Sequence, residues 1–108
     1  MSASDTLSRL AATIAARRNA DPASSWVAKL HARGVPVMAR KLGEEAIETI
    51  TAALTGTREE LVGEAADTIF HLLVLLDAKG VPLDEVLAEL ERREGTSGIA
   101  EKAARRPD

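Results

Sequence analysis

Apolar residues recur along this chain at helical spacing, most clearly in two neighbouring runs. Leu42, Ala46, Ile50 and Ala53 form one stripe at about 100° per residue, and Leu61, Ala65, Ile69, Leu72 and Leu76 form a second. Only Thr55-Gly56-Thr57 separates the two runs, so the helices that carry them are expected to pack antiparallel. Breakers and caps place the remaining elements. Ser4 or Asp5 caps a first helix bearing Leu7, Leu10, Ala11 and Ile14, which ends near Arg18-Asn19. Asp21-Pro22 opens a short second helix that runs through Leu30 and closes at Gly34, and Trp26 is read as its anchor to the core, with stacking on a substrate base as the alternative. Val35-Pro36 opens the third helix, which runs to about Leu54, and the capping box Thr57-x-x-Glu60 opens the fourth, which lasts to Gly80. The fifth starts at Pro82, carries Val86, Leu87 and Leu90, and fades at Arg92-Arg93 before Gly95.

The expected fold is therefore all-α, a helix bundle with a central antiparallel helix hairpin. Leu72 to Leu76 is apolar on every side, which one hairpin cannot cover, so the bundle is expected to be completed by homodimerisation. Residues 1–94 read as one domain. Residues 95–108 are small and charged, and read as a flexible tail.

The polar positions of the central hairpin are unusual. Glu44, Glu45 and Glu48 form EExxE on the third helix, and Glu64 and Asp67 form ExxD on the fourth. Lys41, Glu44 and Glu48 cluster opposite the apolar stripe, whereas Glu45 lies about 60° from Leu42, at its margin, and is expected to be the most buried of the three glutamates. Glu64, Asp67 and His71 share a stripe that continues into Val74, Leu75 and Ala78, so Glu64 and Asp67 are expected to point into protein. Two unit charges about 4 Å apart repel by roughly 4 kcal/mol at an effective dielectric of about 20. Protonation, arginine partners or a cation could neutralise the group, and Lys41 is the one base on these stripes. Oxygen-only ligands suit a hard divalent ion, Mg²⁺ or Mn²⁺, and such ions keep positions open for substrate phosphates. Against this stands the plain reading that EExxE is a solvated face with Lys41 paired to Glu44 and Glu45, and that His71 is a core histidine. Glu59 and Glu60 sit at the positive end of the fourth helix and are read as structural.

Composition narrows the setting. The chain has 108 residues, a net charge of −3, 2% aromatic residues and no cysteine. Alanine-rich, aromatic-poor composition favours close helix packing. Dispersed bases give no footprint for nucleic acid or for an anionic membrane surface. Without cysteine there is no disulfide or thiol chemistry, and no apolar run has transmembrane length, so a cytoplasmic setting is expected.

The segments Arg40-Lys41-Leu42-Gly43-Glu44-Glu45-Ala46-Ile47-Glu48 and Glu64-Ala65-Ala66-Asp67-Thr68-Ile69-Phe70-His71-Leu72-Leu73 resemble the phosphoribosyl-ATP pyrophosphatases of histidine biosynthesis, within the all-α nucleoside triphosphate pyrophosphatase (MazG-like) superfamily. Asp21-Pro22, Ser25-Trp26, Lys29-Leu30, Ser97-Gly98-Ile99 and Glu101-Lys102-Ala103 extend the resemblance over nearly the whole chain, with Trp26 in place of a more usual tyrosine and Pro82 in place of a small polar residue. The resemblance implies Mg²⁺-dependent hydrolysis of phosphoribosyl-ATP to phosphoribosyl-AMP and pyrophosphate. Glu45, Glu48, Glu64 and Asp67 would hold the metal. Glu44 would bind a second ion or act as general base, Lys41 would meet the phosphates, and His71 would position a ligand from behind. Lys102, Arg105 and Arg106 would serve as a basic lid. A house-cleaning pyrophosphatase for other nucleoside triphosphates and a non-catalytic dimerisation module are the rival readings.

Overall fold

In the computed structural model, which describes residues 3–95 and 98–105, the described residues form six helices. They are α1 (Ala3–Arg17), α2 (Trp26–Arg33), α3 (Val35–Thr55), α4 (Arg58–Ala78), α5 (Leu83–Arg93) and α6 (Gly98–Ala104). Among the described residues there is no strand, and no helix is long and apolar enough to cross a membrane.

The long pair α3 and α4 is the frame, and Thr57 sets its turn. The Thr57 hydroxyl accepts from the Glu60 amide at 3.1 Å, and the Glu60 carboxylate accepts from the Thr57 amide at 3.2 Å, so both arms of the capping box form. Gly56 is required by close approach, because a Cβ there would sit 3.0 Å from the Ala52 backbone. At the other end of α3, Gly34 closes α2 and opens α3 at φ +95°, a conformation that residues with a side chain rarely adopt.

The core gathers Ile14 of α1, Val27 and Leu30 of α2, Met38 of α3, and Leu73 and Val74 of α4. It therefore lies at the end of the hairpin remote from the α3–α4 turn. A polar tie closes its edge: Arg18 Nη2 donates to Asp77 Oδ1 at 2.7 Å, and His31 Nε2 lies 3.3 Å from Asp77 Oδ2. The helix α5 buries no residue completely, and Leu83 alone of its side chains packs against this core.

Several expectations are corrected. The helix α2 begins at Trp26, with Ser25 as its cap, because the Asp21 carboxylate is engaged by the Ala23 amide in a local turn. Trp26 is 42% exposed, so Val27, Ala28 and Leu30 anchor α2 instead. Ser4 and Asp5 lie inside the first turn of α1 and not ahead of it. Ile50 (59% exposed) and Ala53 face outward, since the side of α3 that meets α4 carries the polar Glu45 and Thr49. Leu73 and Val74 are buried, but Ile69 and Leu72 are exposed in the single chain.

Candidate metal centre

Towards the α3–α4 turn the apolar core gives way to acids. Glu45 and Glu48 on α3 and Glu64 on α4 each offer an oxygen, and these oxygens all lie within 4.8 Å of one another. Glu45 and Glu64 are half-buried while Glu48 is exposed, and the Oε2 atoms of Glu45 and Glu64 are inaccessible to water and have no hydrogen-bond partner. An ionised carboxylate cannot donate to another, so these contacts become attractive only when a proton or a cation enters.

The electrostatics follow. Burial is the main cause that raises the Glu45 carboxyl above its ordinary value, with the Glu48 charge next. Glu64 is also raised, to about 7, first by its hydrogen-bonding contact with Glu48, then by burial and by Glu45. Beside the acids lies a cleft of about 260 Å³, bounded by Glu48, Thr51, Ala52, Gly56, Glu60 and Glu64. Its wall includes the capping residue Glu60, which therefore edges the cleft although its carboxylate is engaged at the helix start.

Glu44 turns away from the triple and is exposed, with Lys41 Nζ at 3.6 Å and Arg40 Nε at 3.9 Å. Lys41 pairs with Glu44 alone of the two neighbouring glutamates, and its Nζ sits 5.9 Å from the centre of the Trp26 ring. Asp67 is exposed, contrary to expectation, and stands outside the converging triple, although its charge contributes to raising Glu45. One turn beyond it His71 is buried. Its Nδ1 donates to the Asp67 carbonyl at 2.8 Å, its ring meets Phe70 edge-on, and its Nε2 has no partner. Lys102 and Arg105 are exposed, and Arg106 lies outside the described residues.

Sequence reasoning passed over Thr49 and Thr68. Their hydroxyls meet at 2.8 Å across the helix pair, and each is also 2.9 Å from the carbonyl oxygen of an acidic residue on its own helix, Glu45 and Glu64 respectively. The available signal was their i+4 spacing from those two glutamates.

The donor set fits a hard divalent cation. It is all oxygen, drawn from two helices, and contains two buried oxygens that only a proton or a cation can satisfy. Open space lies alongside for a ligand.

Proteins of similar sequence are pyrophosphatases. The family model described as phosphoribosyl-ATP pyrophosphohydrolase matches residues 7–94. The phosphoribosyl-ATP pyrophosphatase of Erythrobacter litoralis (strain HTCC2594) is 72% identical over 101 residues, which cover 94% of this chain and 97% of that one. That of Novosphingobium aromaticivorans is 69% identical over 99 residues, 92% of each chain. That of Rhodobacter capsulatus is 65% identical over 99 residues, 92% of this chain and 96% of its own.

Proposed function

This chain belongs to the phosphoribosyl-ATP pyrophosphohydrolase family, and on that premise we propose that it cleaves the α–β phosphoanhydride of phosphoribosyl-ATP, giving phosphoribosyl-AMP and pyrophosphate in histidine biosynthesis. The observation that carries the proposal to particular residues is the convergence of Glu45, Glu48 and Glu64, two of them with a buried, unpartnered oxygen. These three, with Asp67 at the margin, would hold Mg²⁺, or Mn²⁺ in its place. The ion, when bound, supplies positive charge that draws in phosphate oxygens and offsets the charge on the leaving pyrophosphate.

The chain's own residues do the rest. Glu44 stands apart from the converging oxygens, paired with Arg40 and Lys41. We assign it to accept a proton from the attacking water as the new P–O bond forms and the bridging P–O bond breaks. Lys41 presents an ammonium group beside it as a point charge for phosphate. The exposed Lys102 and Arg105 of the C-terminal segment, residues 95–108, are further cations for the triphosphate. His71 orders the turn at Asp67 by binding its carbonyl.

The working form is a homodimer in the cytoplasm. Ile47, Ile50, Leu54, Val62, Ile69 and Leu72 all lie exposed on the two central helices, apolar side chains that a second copy would cover.

The test is pyrophosphate release from phosphoribosyl-ATP, ATP and dCTP in parallel with Mg²⁺. Turnover of phosphoribosyl-ATP alone is the expected result. Comparable turnover of all three would replace this reading with a house-cleaning pyrophosphatase, and isothermal titration showing no specific Mg²⁺ or Mn²⁺ binding would remove the metal centre.

A further inference from the structure

Threonine at i+4 to a carbonyl is common in helices, and in α3 Thr51 and Thr55 bond the carbonyls of Ile47 and Thr51 in the same way. Thr49 and Thr68 differ, because their hydroxyls also bond each other between α3 and α4. Each stands one turn after a glutamate of the converging triple and reaches back to that glutamate's own carbonyl, Glu45 for Thr49 and Glu64 for Thr68.

A count of protons sharpens this. Two hydroxyls carry two protons, yet three short oxygen contacts run through them. The shortest of the three is the 2.8 Å Oγ–Oγ contact, and a proton placed there has one hydroxyl donating across the helices and the other donating back to its glutamate carbonyl, which leaves the proton-free contact to a 2.9 Å hydroxyl–carbonyl pair. The two arrangements are near mirror images. In both of them the cross-helix bond is kept, and one glutamate's turn is tied to it.

We propose that Thr49 and Thr68 are positioning residues for metal binding: their hydroxyl pair fixes the spacing of α3 and α4 where Glu45, Glu48 and Glu64 must converge. The proposal rests on the metal-centre reading above. The like-charged carboxylates push the helices apart in the metal-free protein, and the hydrogen bond opposes that push with directional geometry that apolar packing lacks. A cation then meets ligands already in place, and less ordering is required when it binds.

Valine matches threonine in shape and removes the hydroxyl. In Thr49→Val the remaining Thr68 hydroxyl can still donate to the Glu64 carbonyl, so no buried donor is stranded and the fold should persist, and the same holds in reverse for Thr68→Val. The experiment is isothermal titration of the full chain with Mn²⁺ alone, with thermal melting of the same metal-free samples and steady-state kinetics with Mg²⁺. Each valine variant should bind Mn²⁺ about tenfold more weakly than wild type. The double variant should be no worse than either single one, since each single change already abolishes the cross-helix bond. Thr49→Ser and Thr68→Ser should restore wild-type affinity. At saturating Mg²⁺ kcat should be largely recovered, because the lost quantity is ligand convergence.

Valine variants that bind Mn²⁺ like wild type would overturn the proposal. So would serine variants that fall as far as the valines, or a loss of affinity that only follows a loss of melting temperature. A wild-type chain that binds no Mn²⁺ would overturn the metal-centre reading itself, a different and distinguishable failure.

Discussion

Glu45 and Glu64 approach each other from α3 and α4, and each keeps its Oε2 buried without a hydrogen-bond partner. Two such acids held together form a strained arrangement in the metal-free protein. That strain has measurable consequences.

The first is a dependence of stability on pH. Glu64 is raised to about 7 from an ordinary value near 4.5, so between those values the folded chain holds a proton that the unfolded chain has released. The stabilisation is fully present below about pH 4.5 and is lost as pH rises through 7. Metal-free protein should therefore melt at a lower temperature at pH 7.5 than at pH 5.5. Saturating Mn²⁺ should shrink or reverse that difference, because the cation replaces the proton. Titration calorimetry in buffers of different ionisation enthalpy should detect proton release on Mn²⁺ binding. A metal-free melting temperature that climbs steadily from pH 5.5 to 7.5 would contradict the assignment.

Removing a charge should separate stability from activity. In Glu64→Gln the amide can donate to Glu45 or Glu48, which relieves the repulsion, so the metal-free variant should melt at or above the wild-type temperature. Pyrophosphate release should fall by on the order of a hundredfold or more. Asp67→Asn should also lose activity with the fold intact, although Asp67 is exposed and outside the triple. Wild-type turnover by Asp67→Asn would confine the site to the three converging glutamates.

Two sites outside the acidic cluster should behave in the opposite way. Thr57→Ala removes the hydroxyl that caps α4 and should cost about 1 kcal/mol. Asp77→Ala removes the ion pair with the partly exposed Arg18 at the edge of the core and should cost about 1 kcal/mol. Asp77 lies ten residues, about 15 Å, beyond Asp67 along α4, so kcat and KM of the folded Asp77→Ala variant should match wild type. Urea denaturation with parallel assays checks both.

Much of this was legible in the sequence because local chemistry decided it. The Thr57 capping box, the glycine at 34 and the proline at 36 set helix ends through bonds within a few residues, and those ends stand where the sequence puts them. The pairing of α3 with α4 followed from the short turn, and the convergence of Glu45, Glu48 and Glu64 followed from that pairing. Faces were harder. The helix α3 is apolar on more than one side, and periodicity alone chose Ile50 as inward, whereas the side that meets α4 carries Glu45 and Thr49. Trp26 was read as an anchor to the core, yet it lies at the surface beside Lys41. The hydroxyl pair of Thr49 and Thr68 depends on the relative register of two helices, which no single-helix pattern encodes.

The outward face of α3 and α4 is apolar. Ile47 is 64% exposed and Leu54 78%, and with Ile50 on α3 and Val62, Ile69 and Leu72 on α4 they expose branched apolar side chains on both helices of the hairpin. Burying apolar surface contributes about 25 cal/mol per Å², so such side chains are a strong drive to associate. A helix pair meets another most readily by seam packing of this kind, which would complete a bundle around the exposed Leu72. Wild-type protein at micromolar concentration should therefore sediment as a dimer. Ile47→Glu would place a carboxylate in the contact one residue before Glu48, adding to the acidic repulsion there, and should shift the protein towards monomer while its helical circular dichroism is retained. Sedimentation of the wild type as a compact monomer would sink the dimer, and the exposed face of α3 and α4 would then need another partner.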